Sequence, residues 1–150
     1  LIFSRQGIAK LPEGNDYQQA RKGAYIVAGS DENPDVILVA SGSEVSTLEA
    51  GCAALRADGI KVRVVSAPSE GLFRRQSKEY QESVLPYDVK KFGMTAGLPV
   101  TLEGLVGIGP NSCIYGMKSF GFSAPYKVLD EKLGYTGENV YKQVKAFLDK

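Results

Sequence analysis

The segment "DVILVASGSEVSTLEAGCAALRADGIKVRVVS" (residues 35–66) constrains the fold most. Its first part is apolar almost without a break, so no polar face alternates with an apolar one, and a strand here must be covered on both sides. From Glu44 to Asp58 the period changes. Val45, Leu48, Cys52 and Leu55 recur at intervals of three and four, which lines one face of a helix, and Gly59 closes it. "KVRVVSAP" (61–68) returns to strand character. Strand, helix, strand in this order requires a right-handed crossover and a parallel pair.

The rest of the chain extends that unit. "AYIVA" (24–28) reads as a short strand, and the turn cluster "GSDENP" (29–34) suggests a hairpin with the strand at 35–41. Residues 70–86 supply one or two short helices broken near Ser77, and "KKFGMTA" (90–96) a third parallel strand. A short helix over 98–107 is weakened by Pro99 and Gly104; "SCIYGM" (112–117) follows as a fourth core strand. Helices over 124–134 and 136–150 end the chain. In the second, Val140, Val144 and Phe147 or Leu148 form the apolar stripe, leaving Lys142, Gln143 and Lys145 to water. The expected fold is α/β, a three-layer α/β/α domain on a mainly parallel sheet of about five strands. With 150 residues, 43% of them hydrophobic, there is material for one core and not two. Residues 7–23 mix Gly, Pro, Asn and charge and read as an exposed connection with room for one short helix. "LIFSRQ" reads as a strand already under way, and the chain as a piece of something larger.

Composition removes several function classes. Lys and Arg number 18 against 17 Asp and Glu, so no net field draws the chain to nucleic acid or to an anionic membrane. No apolar run approaches the ~20 residues of a membrane helix. Cys52 and Cys113 are far apart and read as core thiols, which fits a reducing, cytoplasmic setting. The chain has no histidine. Without the commonest general base and metal ligand, a complete active site within these residues is not expected.

Four local features invite a ligand. "SGSE" (41–44) joins strand to helix, where nucleotide-binding folds place phosphates, but it lacks the Gly-rich fingerprints and puts Glu44 at the anion position. It matches a capping box instead, Ser41 accepting from the amide of residue 44. "GLVGIGPNS" (104–112) has three glycines but no helix directly after it, and reads as a turn. The basic pairs at 74–75 and 90–91 read as solvated helix ends. Arg5 differs: it stands just beyond an apolar strand, where α/β sheets bind ligands, and a guanidinium there can grip a phosphate or carboxylate bidentately.

"LIFSRQ", "PDVILVASGSEVSTLEAGCAALRADGIKVRVVSAPS", "YQESVLP" and "FGFSAPYKVLDEKLGYTGENV" resemble, in order and spacing, the C-terminal part of transketolases. The resemblance spans nearly all of the chain. It implies a thiamine diphosphate enzyme with a divalent metal, Mg or Ca, acting as a homodimer that moves a two-carbon ketol unit between sugar phosphates. Residues 1–23 then correspond to the last strand of the preceding pyrimidine-binding domain plus a linker, and 24–150 to the C-terminal domain. The family's cofactor motifs lie outside such a region, so the isolated chain is expected to be inactive, with no catalytic, cofactor or metal residue of its own. One substrate-binding residue carries over: Arg5, in "SRQ", is similar to the arginine that binds the sugar phosphate. Thr95 and Leu102 depart from the family pattern, standing where many members have an acid and a tryptophan. Two other readings remain open: a stand-alone anion-binding or protein-interaction module, and a fragment of dihydroxyacetone synthase.

Overall fold

The computed structural model describes residues 7–11, 16–29 and 33–150. A five-stranded sheet in the order β1-β3-β2-β4-β5 forms its centre. β2 (Val36–Ala40) lies in the middle with all five residues buried, as its unbroken apolar run requires. β3 (Val62–Ser66) and β4 (Lys90–Met94) flank it in parallel, Leu38 standing level with Val64 on one side and Phe92 on the other. β5 (Ser112–Tyr115) continues the parallel set. β1 (Tyr25–Ala28) runs antiparallel along the far side of β3, Tyr25 opposite Ser66.

Two expectations change here. No hairpin joins β1 to β2: the central position of β2 is taken by two parallel neighbours, and β1 pairs with β3. β5 is half-buried throughout and lies at the edge of the sheet, so it is not a core strand.

Alternation along the strands builds two apolar layers. Val36, Leu38, Ala40, Val62, Val64, Phe92 and Met94 face α1 (Glu44–Ala57) and α6 (Gly137–Leu148). Ile37, Val39 and Val65 face the other way, towards the short helices α2 (Glu70–Arg74), α3 (Lys78–Val84) and α4 (Glu103–Val106), with Phe73, Val84 and Leu105 closing that side. The α/β/α layering and five-stranded, mainly parallel sheet are those expected from the sequence. α2 and α3 part at Ser77, whose hydroxyl accepts from the Tyr80 amide and so starts the second helix.

α1 and α6 cross closely because both carry glycine at the contact. A Cβ on Gly51 would stand 2.7 Å from Val140 Cγ1 and 2.9 Å from the Gly137 carbonyl oxygen. Val140, Val144 and Phe147 are buried as the stripe requires, and Lys142 is exposed. Lys145 is less free, pairing at 3.0 Å with Asp58 beyond the end of α1. Before β1, residues Tyr17–Lys22 form a 3₁₀ turn capped by Asp16, the short helix for which the connection left room.

Candidate functional site

β2, β3, β4 and β5 all point their carboxyl ends to one edge. From β2 the chain leaves one way through α1 to β3, then crosses back to β4 on the opposite side, so the crevice between the ends of β2 and β4 is the topological switch point. A cleft of about 730 Å³ opens there. Ser43 and Glu44 form one wall and Ala96–Leu98 another, with Met117 and the 118–122 loop across from them. α5 (Tyr126–Leu133) and Tyr135 close the remaining side.

Hydrogen bonds fix this edge. Tyr135 donates its hydroxyl to the Thr95 carbonyl at 2.8 Å, and Tyr115 donates to the Leu133 carbonyl at 2.7 Å. The two rings meet edge to face at 5.8 Å. Burial pushes the Tyr135 phenol up to about 12, with Tyr115 and Glu44 adding to the shift, so it remains a donor at neutral pH. Thr95 accepts from the Gly97 amide at 3.0 Å, and the Met117 amide donates to the Gly97 carbonyl at 2.9 Å, tying the ends of β4 and β5 together. At position 95 a neutral hydroxyl thus holds the turn. Leu102, the other departure from the family pattern, is buried in the second apolar layer.

The "SGSE" turn does not form the expected capping box. The helix cap is Ser43, not Ser41, and Ser43 makes no side-chain cap bond; its hydroxyl donates to the Glu44 carboxylate at 2.8 Å. The cause is Gly42, whose φ of +66° starts the helical turn two residues after the expected cap. The amides of Val45 and Ser46 bond to the carbonyls of Gly42 and Ser43, so the turn closes on itself.

Charge in the cleft works against an anionic ligand. Besides the phenols of Tyr126 and Tyr135, its ionisable groups are Glu44, Asp130 and Lys118, two carboxylates and one cation. Burial pushes the Asp130 carboxyl above its ordinary range. The cleft's apolar lining comes from Leu98, Met117, Phe120, Phe122, Leu129 and Leu133.

Basic residues that could serve an anion are engaged elsewhere. Lys90 and Lys91 are not solvated helix ends. They stand on β4, where Lys90 Nζ donates to the Phe147 and Leu148 carbonyls at the end of α6. Lys91, buried, donates to the Tyr87 and Val89 carbonyls, and burial lowers its ammonium below the ordinary lysine range. Arg63, inside core strand β3, donates to the Ser83 and Val84 carbonyls at the end of α3. Sequence reasoning missed the two helix caps, Lys90 and Arg63, and the bonds of Lys91 to the turn before β4; a cation inside an apolar strand such as "KVRVV" is the signal that could have found them. Arg74 and Arg75 are exposed, Arg74 bonding Glu70 at 2.6 Å. Of the 104–112 stretch, residues 104–106 belong to α4 and residues 107–111 make the expected turn between helix and strand before β5.

Cys52 is a core thiol, pushed up to about 12 chiefly by burial and also by Glu49. Cys113 is only half-buried, on the edge strand. Among the described residues, no three of His, Cys, Asp and Glu are grouped to hold a metal ion, and no helix is long and apolar enough to cross a membrane. Arg5, the predicted substrate contact, lies outside the described residues.

A family model described as the transketolase-like TK C-terminal domain matches residues 23–136. The chain is 42% identical over 150 residues to transketolase 1 of Vibrio vulnificus, with 99% of this chain and 22% of that protein covered. It is 40% identical over 147 residues to a transketolase of Staphylococcus aureus, again covering 22% of the relative. A Pichia stipitis transketolase solved in complex with sedoheptulose-7-phosphate superposes with a TM-score of 0.85, at 30% identity, over 97% of this chain and 20% of that one. The chain thus spans about a fifth of the length of the relatives it matches. The layered parallel sheet and these matches place the chain in the transketolase family, in the part that its members carry as their C-terminal domain.

Proposed function

We propose that residues 24–150 are the C-terminal domain of a thiamine diphosphate-dependent transketolase, and that residues 1–23 bring in the last strand of the preceding domain and a linker. The complete polypeptide moves a two-carbon ketol unit from a ketose phosphate to an aldose phosphate as a cytoplasmic homodimer. The observation that carries this reading is identity of 42% along the whole chain with a protein named transketolase.

The described residues do not fit the cofactor. The chain has no histidine, its described carboxylates and thiols make no metal cluster, and the cleft at the switch point sets two carboxylates where a diphosphate needs cations. Thiamine diphosphate and the divalent metal belong to the rest of the polypeptide, and this chain by itself is inactive.

Arg5 is its contribution to the substrate site. A guanidinium holds a phosphate monoester through two parallel hydrogen bonds, and gripping the distal phosphate sets how far the carbonyl end of the sugar reaches. The test is kinetic. In the complete polypeptide, Arg5→Ala should raise KM for phosphorylated sugars roughly 10- to 100-fold, as expected for a lost charge-assisted contact, with cofactor affinity unchanged. An equal loss in both overturns the Arg5 assignment, and a wild-type polypeptide without ketol transfer overturns the whole reading.

A further inference from the structure

Beside the cleft, Phe120 is 96% exposed and Phe122 66%, with Leu98 at 57% and Tyr126 at 43%. All four line one concavity. Together they present on the order of 500 Å² of largely apolar surface, at the upper end of what a monomer leaves to water and most of what one side of a stable interface buries. Two other large exposed groups, Tyr87 and Ile108, line a second concavity near the opposite edge of the sheet, where the charged Arg74, Lys78, Glu79 and Glu82 share the wall.

The chain arrives on the same edge as this patch. β1 is antiparallel, so its first residue, Tyr25, lies opposite Ser66 at the carboxyl end of β3. The Ser69 amide donates to the Gly23 carbonyl at 2.9 Å, which anchors the arriving segment there. From β3 to β5 is three strand spacings, about 15 Å. The chain therefore enters β1 at the carboxyl edge of the sheet, the edge that carries the cleft, and the relatives are more than four times the length of this chain, which covers 22% of them.

From this we infer that Phe120, Phe122, Leu98 and Tyr126 are the docking surface for the polypeptide that precedes this domain, the two phenylalanines serving as its anchors. Their occupant is an apolar face of that preceding part, tethered through residues 7–23. The deficit of cations in the cleft suits such a cover and not a phosphate ligand. The inference rests on the proposed function, since it takes the missing length to be the rest of a transketolase.

The complete polypeptide tests it by limited tryptic digestion. Phe120→Asp/Phe122→Asp should release a fragment near 16.1 kDa, the mass of this chain, at least about tenfold faster than wild type. Ile108→Asp, at the opposite edge, should digest like wild type. Both phenylalanines are solvent-exposed within the domain, so circular dichroism of the released fragment should be unchanged. Equal protection of the double variant and wild type overturns the docking surface. So does a variant whose particle mass halves with no fragment released, because the patch then joins two copies. Ketol transfer by wild type is scored separately: docking behaviour as described without transfer overturns the function alone. A native polypeptide of only these 150 residues overturns both.

Discussion

At residue scale, buried groups decide the chemistry this domain can and cannot perform. Cys52 has its thiol held up to about 12 by burial, and Tyr135 its phenol to about 12. Both are proton donors whose ionisation is harder folded than unfolded, so the stability they confer is complete below the unfolded values and drains away as pH rises through the window from about 9 to about 12. Urea melts across that range should show declining stability, and Cys52→Ala should flatten the part that belongs to the thiol. For the same reason Cys52 should resist alkylation at pH 8 in the folded chain and react once denatured; rapid native labelling contradicts its placement. Tyr135→Phe removes the donor to the Thr95 carbonyl and should cost about 1 kcal/mol in a denaturant titration. Some of this was legible in the sequence. Cys52 falls on the apolar period of a helix and was readable as core, whereas the roles of Lys90 and Arg63 depend on helix ends brought next to them by the fold.

At the scale of elements, the periodicities located the helices and strands but not every partner. The unbroken apolar run of β2 implied cover on both faces, and the structure has it. The hairpin expectation failed because a turn cluster between two strands reports only that the chain reverses, and β1 pairs across β3 instead. The capping box failed at a similar level: "SGSE" has the right spacing, but Gly42 takes a positive φ and shifts the cap to Ser43. Gly51 belongs to this scale too. It read as one residue of a helix, and its purpose is visible only in the crossing with α6. Gly51→Val should push Val140 and the Gly137 backbone apart and cost about 1–3 kcal/mol, the usual range for overpacking a close contact. A thermal midpoint equal to wild type contradicts so tight a crossing.

For the whole molecule, the described residues form an α/β/α domain whose carboxyl edge carries a largely apolar cleft. Family membership follows from the match along the chain, which spans 22% of that relative; substrate, cofactor and assembly belong to the proposed function. The most direct measurement is transfer itself. A ketose phosphate labelled at its first two carbons is given to the complete polypeptide with thiamine diphosphate, a divalent metal and an aldose phosphate. The account predicts label in a ketose two carbons longer than the acceptor; label that stays in the donor contradicts it.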